Sequence, residues 1–257
     1  MHERLVKLFG VHVDQEFDLV RNGLRWRLNP ADFVQADVFW LGRKDFYDVY
    51  HLQRMVRSGD VLLDIGANFG YYSVVLASHL KKKCEIHAFE PNPCTLKLLR
   101  HHVEINGLMD VIHIHDLALG DNPGTASLAT KALNSGGTHV VPFNESSTCV
   151  QVTTLDDFCD HQGLTRLDLI KIDVEGFEER VLRGGHRSLR RWQPVLLLEL
   201  EPARLRDKCS SVEHVVATLR ELGYQLFVSR RQSLQPLLDL PKGDDVKPNV
   251  FCLPTGT

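Results

Sequence analysis

The sequence predicts an α/β fold: a mostly parallel sheet flanked by helices, closed by an antiparallel strand pair and preceded by a small hairpin-and-helix cap. Three observations carry this. From Gly59 onward, short apolar runs alternate with segments of helical period. A glycine-containing loop separates the first of these runs from the helix that follows. The early strands end in acidic residues, and parallel sheets bind ligands at their carboxyl ends.

Residues 1–57 form the cap. Residues 17–20 and 24–28 alternate apolar and polar around Arg21-Asn22-Gly23. Asn-Gly between such runs signals a hairpin, because both central turn residues need positive φ. Asn29-Pro30 ends the second strand. Residues 33–40 are apolar and aromatic and read as a lid. Residues 48–57 read as a helix, with Val49, Leu52 and Val56 on one face. Asp45, Phe46, Tyr47 and Asp48 are candidates for the mouth of a site, and Tyr47 is carried forward as an acceptor-binding candidate.

Residues 58–257 form the main domain. Residues 61–63 make the first strand and residues 72–80 the first helix. Residues 85–89 make the second strand, ending at Glu90-Pro91-Asn92-Pro93, and residues 95–106 the next helix. Residues 111–114 make the third strand, ending at Asp116-Leu117-Ala118. A polar segment, 121–151, reads as a hairpin insertion. Residues 150–154 return to the sheet, and residues 155–161 form a helix. Residues 168–174 are the fourth strand, with residues 195–198 as its neighbour. Arg180, Arg183, Arg187, Arg190 and Arg191 read as one basic helix with a solvated face. Residues 211–222 form an amphipathic helix. Residues 224–228 and 249–253 form the closing pair, joined through Gly243-Asp244-Asp245.

Composition narrows the function classes. The chain has 257 residues, 43% of them hydrophobic and 25% charged, with a net charge of −3. That is the balance of a globular protein, and it disfavours a nucleic-acid or anionic-membrane partner. No apolar run reaches the roughly 18–20 residues of a membrane span. The first ten residues carry Glu3, Arg4 and Lys7 and do not read as a secretory signal. The six cysteines form no C-x-x-C pair and read as reduced thiols. A cytoplasmic protein, monomeric or homodimeric, is expected.

The chemistry starts at Asp64-Ile65-Gly66-Ala67-Asn68-Phe69-Gly70. Gly66 lets the backbone pass close to a ligand, and Gly70 lets the helix approach the strand. Glu90, about twenty residues further on, can accept both hydroxyls of a ribose. Asp116 can accept from an adenine amino group. The spacing is G-x-x-x-G rather than G-x-G-x-x-G, and Asp64 would repel a pyrophosphate. It could instead help hold an ammonium group. This favours S-adenosylmethionine (SAM) over NAD as cofactor.

On the fourth strand, Leu169, Lys171 and Asp173 share one face. A lysine in a central strand needs a carboxylate partner. Asp173 lies two residues away, and Glu199 can approach from the neighbouring strand. Either these groups form a structural ion pair or, with Glu175, they surround the reacting methyl group. Asp173 is the first candidate for a general base and Glu175 the second, and Lys171 would orient or tune them. Asp173 and Glu199 could in principle chelate a metal, but no dedicated ligand cluster is seen and no metal is expected.

Five runs then stand together: residues 64–72, Ala88-Phe89-Glu90-Pro91-Asn92-Pro93, Leu117-Ala118-Leu119-Gly120-Asp121, Thr154-Leu155-Asp156-Asp157 and Leu169 through Gly176. In this order they resemble the FkbM family of SAM-dependent methyltransferases over roughly residues 59–199. The resemblance implies a class I, Rossmann-like methyltransferase that transfers a methyl group to hydroxyls of sugars or natural products and releases S-adenosylhomocysteine. It implies that Asp64, Gly66, Asn68 and Gly70 line the amino-acid end of the cofactor, with Ala67 and Tyr71 as further cofactor contacts. Glu90 would hold the ribose, with Pro91 and Asn92 beside it. Asp116, Leu117 and Ala118 would lie near the adenine, and Asp173 near the methyl group. Asn134, Ser135 and Gly136 would cover the acceptor, with His139 and Asn144 as further contacts. Residues 42–48 depart from the family's Gly-x-Tyr-Glu run. The alternatives are a nucleic-acid or peptide methyltransferase, or an NAD-binding oxidoreductase.

Overall fold

The structure is a computed structural model that describes residues 15–131, 134–141, 148–231, 233–240 and 248–256. Strands β1 (Phe17–Arg21) and β2 (Leu24–Leu28) form the expected hairpin, with Asn22 and Gly23 both at positive φ. Helices α1 (Ala36–Leu41) and α2 (Phe46–Met55) complete the cap. Helix α2 starts and stops two residues earlier than expected, because Val56 is already extended. Val49, Leu52 and Val56 are buried on one face, as the periodicity requires.

One histidine fastens this cap to the main domain. Trp26 of β2 packs edge-on against His102 with ring centroids 5.1 Å apart. His102 Nδ1 donates to the carbonyl of Phe69 at 2.7 Å, and its Nε2 accepts the N–H of Arg27 at 3.0 Å. Burial pushes the His102 pKa down to about 4, so the neutral tautomer these bonds need is the stable one.

The main sheet has eight strands. They are β3 (Val61–Ile65), β4 (Glu85–Phe89), β5 (Ile112–His115), β10 (Leu169–Ile172), β11 (Val195–Glu199), β12 (Tyr224–Arg230), β13 (Ser233–Pro236) and β14 (Asn249–Pro254). Their order is β13-β12-β14-β11-β10-β3-β4-β5. The five strands from β11 to β5 run parallel, and β14 and β12 close the sheet antiparallel. Every residue of β3 and β10 is buried, as expected for strands covered by helices on both faces. One apolar cluster lies on each side of the sheet. Strand β13 was not anticipated, and the segment 241–247 lies outside the described residues.

Helices follow the strands. They are α3 (Tyr71–His79), α4 (Pro93–Ile105) and α5 (Leu155–Gln162). Asn92 caps α4 by accepting the Cys94 N–H, and Thr154 caps α5 by accepting the Asp157 N–H. The expected single basic helix is two helices, α6 (Glu178–Gly184) and α7 (His186–Trp192). Added Cβ atoms at Gly184 and Gly185 would strike the Gly120 carbonyl and Leu155, so the chain breaks where it packs most closely. Asp156 caps the second piece, accepting from Ser188 N at 2.7 Å and Arg187 N at 3.0 Å. A short helix, α8 (Pro202–Asp207), was also missed, and α9 (Val212–Glu221) follows it.

The polar segment differs most from expectation. Strands β6 (Leu117–Gly120), β7 (Gly124–Lys131), β8 (Asn134–Val141) and β9 (Thr148–Thr154) build a separate sheet in the order β6-β9-β7-β8. The hairpin is present as β7–β8, but β9 pairs with β6 and does not rejoin the main sheet. Leu119 is buried in the same apolar cluster as Leu155 and Val181, so β6 packs against the helix layer.

Candidate active site

The loop between β3 and α3 is stitched to its neighbours through backbone groups. The N–H groups of Gly66 and Ala67 both donate to the Phe89 carbonyl, at 3.0 and 2.9 Å. Gly66 has φ +78°, and a Cβ there would strike the Asp173 carbonyl. The close approach that needs glycine is therefore one of backbone to backbone. Asn68 N–H donates to Glu90 Oε2 at 2.8 Å, and Asn92 N–H to Glu90 Oε1 at 2.9 Å. Burial pushes Glu90 up to about 7 against those two backbone hydrogen bonds.

Asp64 points into the protein. Its Oδ2 accepts from Ser73 Oγ at 2.6 Å and from Ser73 N–H at 3.2 Å, inside the first turn of α3. Its Oδ1 lies 3.4 Å from Lys171 Nζ. Register places Lys171 directly opposite Asp64 on adjacent strands. The same ammonium lies 3.6 Å from Asp173 Oδ2 and donates to the Gly66 carbonyl at 2.6 Å. The buried lysine thus has the carboxylate partners that its position demands.

Beyond the strand ends an acidic group assembles. Ile172 pairs with Leu198, so Asp173 and Glu199 come next on neighbouring strands. Burial, then the negative charges of Asp173 and Glu175, push Glu199 up to about 9. Burial would also raise Asp173, but Lys171, Lys44 and a hydrogen bond with Glu199 outweigh it and hold Asp173 below its ordinary value. The two groups shift in opposite directions, which places a proton shared by the pair on Glu199 rather than on Asp173. Glu175, at φ +55°, ion-pairs with Arg204 at 3.0 Å, and Arg204 also lies 3.5 Å from Glu201. Glu178 Oε1 accepts from the N–H groups of Val174 and Gly176, bracing this turn.

These groups face a cavity of about 940 Å³, near the upper end for ligand pockets. Gly66, Asn68, Glu90 and Pro91 line one part of it, and Leu117 and Ala118 another. Asp173, Glu175 and Glu199 line a third. Lys171 faces a separate chamber of about 70 Å³ instead. Asp64, Ala67, Gly70, Tyr71, Asn92 and Asp116 do not line the cavity. Asp64 caps a helix, Asn92 caps another, Tyr71 OH accepts the Lys44 N–H at 2.9 Å, and Asp116 is exposed. Tyr47 is exposed and lines neither space. Asn134, Ser135, Gly136 and His139 lie on β8, their side chains outside the described residues, as is all of Asn144.

Several lining residues escaped the sequence reading. Lys44 comes from the α1–α2 turn, beside Asp45, which was expected at the mouth of a site and does line the cavity; Arg204 and Glu201 come from the unanticipated α8 region, and Arg180 from the helix read as solvated. No periodicity or spacing marks Arg204. Among the described residues no group of three or more potential ligands could hold a metal ion. No helix among them is long and apolar enough to cross a membrane.

Comparison with known proteins adds an independent line. The model of the FkbM methyltransferase domain matches residues 64–226. The 31-O-demethyl-FK506 methyltransferase FkbM of Streptomyces tacrolimicus is 30% identical over 223 residues, covering 74% of this chain and 83% of that protein. The hexuronic acid methyltransferase AglP of Haloferax volcanii is 29% identical over 130 residues, 51% of this chain and 52% of its own length. The crystal structure of methyltransferase FkbM from Methylobacillus flagellatus superposes with a TM-score of 0.54 at 17% identity. It covers 82% of this chain, which spans about half (48%) of that longer one, and the likeness is one of fold.

Proposed function

The chain belongs to the FkbM methyltransferase family, and from that premise we propose that it moves a methyl group from SAM to a hydroxyl of a sugar or natural-product acceptor. The observation that carries this reading is one cavity shared by Glu90 at one strand end and the Asp173–Glu199 pair at another. The residues present fit the cofactor. Each Glu90 oxygen already accepts one backbone N–H, which leaves each with a free lone pair for a ribose diol. Leu117 and Ala118 supply an apolar wall suited to an adenine. Asp64 and Asn92 support this reading indirectly, by holding the helices and loops that shape the site. The NAD alternative is set aside with family membership.

SAM, when bound, supplies an electrophilic methyl group on a sulfonium. The chain's residues do the rest by position and charge. Asp173 is the base in this reading, since it lines the cavity and Lys171 and Lys44 hold its carboxyl below the ordinary value. It would accept the acceptor's hydroxyl proton as the new O–C bond forms, help worth about 10²–10⁴-fold. Glu199 holds that carboxylate by donating its proton. Glu175, paired with Arg204, shapes the wall beside it. The relatives' printed names include an O-demethylated natural product and a hexuronic acid, which supports hydroxyl acceptors of that kind. The expected cytoplasmic location stays part of this reading, supported by six free cysteines.

Calorimetric titration with S-adenosylhomocysteine, beside NAD as control, tests the cofactor. Micromolar binding of the first alone is expected. Transfer of label from SAM to a panel of sugars and hydroxylated natural products then identifies the acceptor. Binding of NAD alone, or no binding of S-adenosylhomocysteine with or without acceptor, would overturn the proposal.

A further inference from the structure

The cap reaches the reacting groups at one point, the turn between α1 and α2. Asp45 sits there at φ +46°, a left-handed conformation that costs a non-glycine residue free energy. Contacts hold it in place. Tyr72 OH donates to Asp45 Oδ2 at 2.9 Å, Lys44 Nζ forms an ion pair with the same oxygen, and Lys44 N–H donates to Tyr71 OH at 2.9 Å. The paired tyrosines after the glycine loop therefore clamp this turn. Two ammonium groups also lie near the Tyr72 ring, Lys44 at 5.7 Å and Lys171 at 5.5 Å from its centroid.

Lys44 borders both the large cavity and the 70 Å³ chamber. The chamber is lined almost wholly by polar side chains: Asp45, Tyr72, Lys171, Asp173, Glu199 and Asn249 join Lys44. Its size suits about two waters. Lys44 is thus a cation from the cap placed across a polar chamber from the carboxyl pair.

We propose that Lys44 is a positioning residue for methyl transfer, whose ammonium keeps Asp173 ionised and its partner Glu199 the proton holder. This rests on the proposed methyltransferase reading. The groups facing the pair are Lys44 and Asp45 from the cap, Tyr72 from α3, Lys171 and Asp64 from the sheet, and Glu175 and Glu178 from the turn after β10. Lys171 is shared between Asp64 and Asp173, and Arg204 is engaged by Glu175 and Glu201, so Lys44 is the second cation beside the carboxyl pair. Removing a cation raises a carboxyl pKa and leaves less base at a given pH. In the overall step the acceptor O–H bond breaks, its proton goes to Asp173, the O–CH₃ bond forms and the S–CH₃ bond breaks. The proton then leaves through the pair to water.

The test uses full-length Lys44→Met and Lys44→Arg. Carboxyl ¹³C NMR follows the titration of the Asp173–Glu199 pair, with Asp173→Asn and Glu199→Gln identifying the signals. In Lys44→Met the Asp173 titration is expected to move up by about one pH unit, a tenfold change. The acid limb of the kcat profile should move with it, with KM little changed, and Lys44→Arg should restore both. An unmoved titration in folded Lys44→Met overturns the proposal. So does a loss of kcat that is equal at every pH and not rescued by arginine. The NMR shift needs no turnover, so a protein that fails to bind S-adenosylhomocysteine yet shows the shift would sink the methyltransferase reading and leave the electrostatic role standing.

Discussion

Lys171 donates to the carbonyl oxygen of Gly66 at 2.6 Å, so a buried lysine on β10 holds the loop that follows β3. The bond joins two regions 105 residues apart in sequence. It also fixes the ammonium between Asp64 and Asp173. The position is structural and electrostatic at once, and Lys171 itself does not line the large cavity.

Replacing Lys171 by methionine should therefore do two things. It leaves the buried Asp64 without its cation, which typically costs about 3–5 kcal/mol, and leaves the half-buried Asp173 with Lys44 alone. It also releases the Gly66 carbonyl. Urea denaturation is expected to show the loss, and S-adenosylhomocysteine affinity should fall in the fraction that remains folded. A variant with unchanged midpoint and unchanged affinity would contradict the role assigned here.

Two glycines separate backbone strain from crowding. Gly163 has φ +66° and open space around its Cα, so Gly163→Ala should cost only the left-handed penalty of about 1–2 kcal/mol. Gly66 has φ +78° and the Asp173 carbonyl in the way. Gly66→Ala should cost clearly more and displace the loop from β10. Equal denaturation midpoints for the two variants would argue against that packing.

Glu90 makes a pH prediction with a definite sign. Its pKa rises from an ordinary 4.5 to about 7 on folding, because it is buried. Between those values the folded chain keeps a proton that the unfolded chain has lost. This group's contribution is full below pH 4.5 and fades as pH climbs to about 7, by roughly 3 kcal/mol in total. Glu90→Gln should flatten that part of the stability curve. Ribose hydroxyls prefer the ionised carboxylate, so S-adenosylhomocysteine affinity should rise from pH 6 to pH 8 in the wild type and not in Glu90→Gln. Calorimetry at several pH values checks both.

The carboxyl pair predicts an asymmetry. Asp173→Asn removes the base, and kcat should fall about 10²–10⁴-fold while cofactor affinity is kept. Glu199→Gln keeps a hydrogen-bond donor where the protonated acid stood. Its kcat at pH 7 should stay within a few-fold of wild type, and the titration that burial places near 9 should vanish. If the two variants lose activity equally at pH 7, the assignment of base and proton holder is wrong.

The sequence made much of this legible, for identifiable reasons. Asn22-Gly23 announced its turn because few residues tolerate that backbone. Glu90 and Asp173 were readable because strand ends in a parallel sheet face one edge. Lys171 was readable because a lysine in an apolar strand requires a counter-charge. Lys44 and Arg204 were not readable. Lys44 lies on a turn and Arg204 on the six-residue helix α8, too short to show a period, and each reaches the site only through packing. Asp64 was read in the right place with a different orientation, because its partner Ser73 lies nine residues away across a helix turn.

Hydrophobic periodicity and glycine spacing by themselves determined the α/β class, the parallel core and the ligand edge, since these depend on local backbone preference and alternation of burial. The tertiary structure decided which acidic residues turn inward as caps and which face the cavity. It also decided that β6 leaves the main sheet and that the cap delivers a lysine to the carboxyl pair. Those outcomes depend on distances between segments far apart in the chain, and such distances are set by the competition of whole faces for burial, which no local pattern records.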